Sequence, residues 1–325
     1  MAIETNHNEA YNGEWGGVLS ATLCPFHEDY SIDEESLREY LQWVASFEGV
    51  RGLVANGHTG EIMSLRPEER ARVTRITAET VKGKVKVVSG VSCEGSLEAI
   101  DHAIAAKEAG ADAILLMPPH HWLRFGRTKA TAVGFIEDVA EGADIKIIVH
   151  QYPAWTKAGY TLDEMLEMIE IPQVVSIKMG TRDMARLRFD YEKLKEAAPH
   201  VSIISCHDEY LLASILEGAD GALVGFAGYA PGLIVELVSA GIAGDLARAR
   251  KVQSRVEELS RIIYQFGEPS SDAHQRMKCA LYLQGMFSSP LARPPLRPLK
   301  EEDIEGLREG LINAGVEVKA VSEAA

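Results

Sequence analysis

Eight apolar, β-type runs recur between residues 18 and 226, each closed by small or polar residues and followed by a helical pattern. No other feature of the chain restricts its fold so tightly. The runs cover 18–26, 52–56, 85–91, 113–117, 145–152, 174–180, 201–206 and 222–226. Most are short and rich in Val, Ile or Leu, as expected of strands buried on both faces of a parallel sheet. Helix signals lie between them. Ser31 and Glu34 have capping-box spacing ahead of an amphipathic stretch to Phe47, and Pro67 marks another helix start. Leu97, Ile100 and Ile104, then Met165, Met168 and Ile169, follow three- and four-residue spacing. Eight strand–helix units in succession predict an α/β fold, a (β/α)8 TIM barrel. A doubly wound open sheet would more often use about five or six strands and a glycine-rich nucleotide loop, and no GxGxxG or Walker pattern stands here. After Gly232 only helical patterns follow, with Arg293 to Pro298 (RPPLRP) as punctuation before a last helix over 301–314. The expected organisation is a flexible arm over 1–14, a barrel over 15–232 and a C-terminal helical region over 233–325 packed on the barrel.

The formal net charge of −15 is spread along the 325 residues. That argues against nucleic acid or an anionic membrane as a partner. Cys24, Cys93, Cys206 and Cys279 show neither a CxxC pair nor the spacing of a disulfide scaffold, which fits a reduced cytoplasm. The polar opening MAIETNHNEAYNGE lacks the apolar core of a signal peptide. No stretch approaches the roughly 18 apolar residues of a membrane span. The expectation is a soluble, cytoplasmic protein.

In such a barrel the chemistry sits at the C-terminal ends of the strands. Here those ends carry Thr22, the turn from Gly57 to Glu61 (GHTGE), His120 and His121, His150 and Tyr152, Lys178, and then His207, Asp208 and Glu209. Five of the ten histidines are among them. Lys178 stands near the end of a β-branched run, two residues before Gly180. Burial there would disfavour the ammonium form and make the amine a nucleophile of the kind Schiff-base enzymes use. The plainer reading is a lysine whose stem lies along the barrel while its charge reaches solvent. The turn from Gly57 to Gly60 is either an ordinary loop or a nest of amides able to hold a carboxylate.

GHTGE after the second run, SIK in the sixth and KCALYLQGMFSSPLARPPLRPL near the C-terminus resemble the dihydrodipicolinate synthase/N-acetylneuraminate lyase family. That family comprises class I, Schiff-base-forming aldolases and dehydratases, and the resemblance runs from about Gly17 to about Leu299. It implies a lyase in which Lys178 forms a Schiff base with pyruvate or another 2-oxo acid, with no metal, nucleotide or pyridoxal. It also implies a homo-oligomer, a dimer or a tetramer. The family's GTTGE turn holds the substrate carboxylate; Thr59 matches its second threonine and His58 replaces the first. Gly57, His58, Thr59, Gly60, His121 and Leu223 are accordingly the substrate-binding candidates, and Lys178, His150 and Tyr152 the catalytic ones.

Two departures stand beside these matches. The family's strand-five YNxP motif supplies a proton-shuttling tyrosine, whereas this chain reads His150, Gln151, Tyr152, Pro153. Aligning the prolines puts His150 in the tyrosine's place, 28 residues before Lys178. A shift of two puts Tyr152 there, and strand alternation sends both side chains to one face. The strand-four PYY of many members is replaced by Pro119, His120, His121 and Trp122. Losing both tyrosine patterns points away from lysine biosynthesis and toward a catabolic relative. Trp122, Trp155 and Phe226 are candidates for an apolar pocket wall or for simple packing.

Two rival readings remain at this level. The rim histidines suggest a metal-dependent TIM-barrel hydrolase or aldolase, although Ser20, Thr22 and Cys24 occupy the first strand where such enzymes usually carry HxH. A non-catalytic 2-oxo acid binder could also keep this fold.

Overall fold

The computed structural model describes residues 13–152, 156, 158–265 and 272–319. Eight parallel strands close into a barrel in chain order: β1 (Gly17–Ala21), β2 (Val50–Ala55), β3 (Lys86–Val91), β4 (Ala113–Leu116), β5 (Lys146–Gln151), β6 (Val174–Met179), β7 (Ser202–Ser205) and β8 (Gly221–Val224). The helices after the first seven are α1 (Glu34–Ala45), α2 (Pro67–Val81), α3 (Ser96–Glu108), the short α4 (Trp122–Phe125) with α5 (Lys129–Ala143), α6 (Leu162–Met168), α7 (Met184–Ala197) and α8 (Leu211–Leu216). Helix α9 (Pro231–Ile242) follows β8 and packs on α8 and β1, so it is the barrel's eighth helix. It lies beyond the boundary drawn at 232. The extension proper is α10 (Leu246–Ile263), α11 (Ala273–Leu283) and α12 (Glu301–Asn313).

Inside the barrel Leu19, Val54, Val88, Leu115, Ile148, Ile204 and Leu223 pack together, and Trp15 joins them. Trp15 lies under Lys86 and Lys146, whose Nζ atoms are 4.6 and 5.6 Å from its ring centroid. Both lysines donate to Glu14, at 2.8 and 3.3 Å. These residues stand at strand starts, so the barrel is stoppered at its N-terminal end and opens at the other. The β1–β8 seam needs a glycine: a Cβ on Gly221 would lie 2.1 Å from the carbonyl oxygen of Gly17.

Local departures from the sequence reading have identifiable causes. The first run extends as β-strand only to Ala21, because Thr22 to Phe26 leave the barrel toward the Phe26–Ile32 bridge. Helix α1 is capped by Asp33, whose carboxylate accepts from the Ser36 amide at 3.0 Å. Ser31 instead donates to Asp29, at 2.9 Å from its amide and 2.6 Å from its hydroxyl. The Asp33 carboxylate, two residues nearer the helix than the Ser31 hydroxyl, takes the cap. Helix α3 forms where Leu97, Ile100 and Ile104 suggested it, but Leu97 is 82% exposed and Ala99, Ala103 and Ala106 face the barrel. Small residues let this helix lie close to the sheet. Trp155 lies outside the described residues.

Candidate active site

Lys178 is the fifth residue of β6 and pairs in register with His150 on β5 and Ile204 on β7. Its side chain is half-buried, since the strand end opens into the concave barrel mouth. No hydrogen bond or ion pair to its amine is found among the described residues. Burial is the main cause that pulls its pKa below the ordinary lysine value, against weaker opposing effects of Cys206 and Asp208. Neither neighbour forms an ion pair with the amine. The Cys206 thiol is pushed up to about 11 by burial. The two Asp208 oxygens are taken by the Phe226 amide at 2.7 Å and the Tyr264 hydroxyl at 2.8 Å, and burial raises that carboxyl to about 7.

Four rings gather beside the amine. His150 and Tyr152 are edge to face with centroids 4.6 Å apart. The His58 ring is 5.9 Å from His150 and 5.5 Å from Tyr152, and His120 is 6.2 Å from both His58 and Tyr152. The Tyr152 hydroxyl and His58 Nε2 are 2.8 Å apart. His150 is 6% exposed, and its Nδ1 has no hydrogen-bond partner among the described residues. Burial and then the Lys178 charge hold its pKa well below the ordinary imidazole value, so it is neutral at neutral pH. The same two causes act on His58, followed by His120 and His274, although its ring is open to the mouth and water there offsets part of the effect.

The turn after β2 is set by two left-handed residues, Asn56 (φ 55°) and Glu61 (φ 57°). Asn56 Nδ2 lies within 3.0 Å of Arg70 O, Thr74 Oγ1 and Ser89 Oγ, which holds the turn's entry. Inside it, Glu61 N donates to His58 O (3.0 Å) and Ile62 N to Gly57 O (3.3 Å). The amides of Thr59 and Gly60 have no protein acceptor among the described residues, and Thr59 Oγ1 is buried without a partner. A Cβ on Gly60 would approach the Thr22 carbonyl oxygen to 3.1 Å. Together these groups form a donor-lined cradle suited to a carboxylate.

The turn's exit is fastened from the C-terminal region. Glu61 accepts from Lys278 at 2.6 Å, with both side chains essentially inaccessible. Its other oxygen accepts from the Arg293 amide at 2.9 Å, while the Arg293 guanidinium grips both oxygens of Glu69 at 2.7 Å. Lys278 Nζ also lies 4.0 Å from the Phe26 ring centroid. Of these anchors Glu61 is among the strand-end residues read from the sequence, whereas Lys278 and Arg293 were given no role there. Their signal was a charge inside each matching motif: the Glu of GHTGE and the Lys of KCALYL.

Not every candidate joins the site. His121 is exposed and bonded to Glu94 (Nδ1 to Oε2, 3.0 Å), so His120 and not His121 reaches the ring cluster. Leu223 is fully buried, paired in register with Leu19 in the barrel core. His207 is spent on structure: its Nε2 is 2.7 Å from Thr181 O and its Nδ1 3.1 Å from the Tyr210 hydroxyl. Trp122 packs on Phe135 and Tyr160, and Phe226 stacks on Tyr264, so both pack and neither lines the mouth. Among the described residues the one His, Cys and acid group with convergent ligand atoms is Cys93, Glu98 and His102, away from this cluster. The Arg70 guanidinium already lies 3.0 Å from His102 Nδ1 there. The rim histidines therefore give the metal-dependent reading no geometry.

The profile described as the dihydrodipicolinate synthetase family matches residues 14–313. The 4-hydroxy-tetrahydrodipicolinate synthase of Nitrosospira multiformis is 32% identical over 305 residues, which are 93% of this chain and 96% of that protein. The N-acetylneuraminate lyase of Rhizobium meliloti is 28% identical over 296 residues, 91% of this chain and 94% of that one. Among solved structures, YagE, an E. coli K12 prophage protein of the dihydrodipicolinic acid synthase family in complex with pyruvate, superposes with a TM-score of 0.84. Its sequence identity is 26%, over 93% of this chain and 99% of that one.

Proposed function

This chain belongs to the dihydrodipicolinate synthetase family, and from that premise we propose that it is a lyase holding a 2-oxo acid as an imine on Lys178. One observation carries the reading: an amine at the barrel mouth with no ion-pair partner among the described residues, in register with a neutral, buried histidine. The Lys178 amine attacks the C2 carbonyl, water leaves the carbinolamine, and the iminium draws electrons toward nitrogen. That sink permits cleavage of the C3–C4 bond, or loss of water from a 2-keto-3-deoxy acid. The chemistry needs no metal or organic cofactor. Thr59 and the amides of the turn from Gly57 to Gly60 hold the carboxylate. His150, in register with Lys178, is the proton-transfer group at the nitrogen, with Tyr152 as the competing assignment.

The substrate class is argued from the departures. A histidine at position 150 and the run His120, His121, Trp122 replace the tyrosines of the biosynthetic pattern, which favours a catabolic aldolase or dehydratase. The opposing reading, a 4-hydroxy-tetrahydrodipicolinate synthase, is favoured by the name of the relative at 32% identity. A panel of 2-keto-3-deoxy acids and pyruvate aldols should show release of pyruvate or of water. Condensation of pyruvate with aspartate semialdehyde, and no turnover elsewhere in the panel, would overturn the catabolic assignment. Imine formation with no turnover at all would leave a binder.

We further propose that the chain works as a homo-oligomer. The exposed Leu123 (41%) and Phe125 (78%) follow Trp122 in α4, in the connection after β4 where the family's subunits meet. Light scattering at micromolar concentration should give at least a dimer mass. A monomer mass would contradict this.

A further inference from the structure

A shuttle at the nitrogen leaves a second proton task unassigned. Cleaving C3–C4 requires a base for the C4 hydroxyl, and the resulting enamine must then receive a proton at C3. His150 stands in register with the amine. The Tyr152 hydroxyl is tied to His58 Nε2 at 2.8 Å, and this is its one hydrogen-bond partner among the described residues. Burial pushes the Tyr152 phenol far above its ordinary pKa, so a free phenolate is not available as a base. Tyr152 can accept a proton only as it releases its own.

We propose that His58, acting through the Tyr152 hydroxyl, is the terminal base of a second proton station that serves C3 and C4 of the substrate, while His150 serves the imine nitrogen. The inference rests on the imine reading of Lys178. In the step, the C4 O–H bond breaks and a new Tyr152 O–H bond forms. The former Tyr152 proton moves to His58 Nε2, giving imidazolium. The C4 oxygen lone pair becomes the carbonyl π bond, and the C3–C4 pair becomes the C2=C3 bond of the enamine. The electrons of the iminium π bond settle on nitrogen. The aldehyde departs, and the same proton returns from His58 through Tyr152 to C3, regenerating the iminium.

Charge is conserved within the pocket throughout this sequence. The cation that the iminium loses appears on His58, so the mouth holds one positive charge at a time. Burial is the larger opposition to protonating His58 and a charge at Lys178 the second; the second lifts once the enamine is neutral. The rings of His150 and His120 lie 5.9 and 6.2 Å from that of His58 and complete the cluster around it. His58 does not touch the reacting carbons in this scheme. It positions Tyr152 and stores the proton.

The test needs no knowledge of the natural substrate, because pyruvate itself forms the enamine. In deuterated water the methyl protons of pyruvate should exchange on the wild-type protein, read by proton NMR. His58→Asn keeps a polar partner for Tyr152 but cannot store a proton. It should still be trapped on pyruvate by borohydride, given time, while methyl exchange falls about 10²-fold. Tyr152→Phe should lose as much, and the double variant no more than either, since the two act as one unit. Exchange at the wild-type rate in a trappable His58→Asn protein overturns the relay, as do losses that multiply. Should His58→Asn fail to fold, Tyr152→Phe decides alone, because it removes one hydroxyl at constant ring volume; normal exchange there also overturns it. A wild-type protein that pyruvate and borohydride do not modify removes the imine reading itself, a failure distinct from the others.

Discussion

Borohydride added with pyruvate should fix a three-carbon fragment on Lys178, and Lys178→Arg should abolish both the adduct and turnover. The guanidinium of arginine does not deprotonate in a protein, so it cannot attack a carbonyl even though it retains charge and length. The loss in turnover should be on the order of 10⁶-fold, the size seen when a covalent nucleophile is deleted in another enzyme class. Trapping should persist at neutral pH, where an ordinary lysine is almost wholly protonated, because burial depresses the Lys178 pKa. The same depression has a stability consequence with a definite sign. Between the folded and the higher unfolded pKa, the unfolded chain binds the proton more tightly, so this group's contribution to stability rises as pH rises through that window. Lys178→Met removes the buried amine and should therefore melt higher than wild type at neutral pH while being inactive. Mass spectrometry of the reduced protein decides the assignment: an adduct on another lysine, or none on an active protein, would sink it.

The barrel was legible because burial on both faces leaves each strand a short continuous apolar run, and eight such runs admit few closures. Strand ends were legible for the same reason, since polar residues return where the core stops. What sequence periodicity missed depends on side chains meeting from distant parts of the chain. Glu61 and Lys278 are 217 positions apart, and their ion pair is visible only once α11 lies across the turn. His120 and His121 are adjacent and chemically identical. Only the backbone at the end of β4 decides that His120 reaches the rings while His121 is exposed and bonds Glu94, a carboxylate that His120 also approaches, at 3.7 Å. The apolar spacing of Leu97, Ile100 and Ile104 announced the helix, but of the three only Ile100 packs on the core, and Ala99, Ala103 and Ala106 make the close face on the sheet. The choice between His150 and Tyr152 was blurred for a related reason. A two-residue shift preserves the face of a strand, so both side chains enter the same cluster.

His150→Ala should lower turnover by about 10²–10⁴, the usual contribution of a general acid–base group. The defect should lie at the nitrogen: the trappable adduct forms more slowly but to the same final extent, because Lys178 remains. Register supports this placement, since His150 is the residue paired with Lys178 across β5 and β6. Its Nδ1 has no partner among the described residues, leaving that ring nitrogen uncommitted to them within the buried site. Because its pKa sits well below the ordinary 6.5, the neutral, proton-accepting form persists into mild acid. The acid limb of kcat/KM should accordingly fall below pH 6.5, whereas an unperturbed histidine would place it there. His150→Tyr supplies another proton-transferring group at the same register position and should recover part of the rate. Tyr152→Phe separates the two residues by stage, leaving the rate of imine formation near normal while turnover drops. The result that overturns the assignment is equally definite. If His150→Ala forms the imine and turns over at the wild-type rate while Tyr152→Phe does not turn over, His150 only packs, and the proton traffic at nitrogen also belongs to the tyrosine.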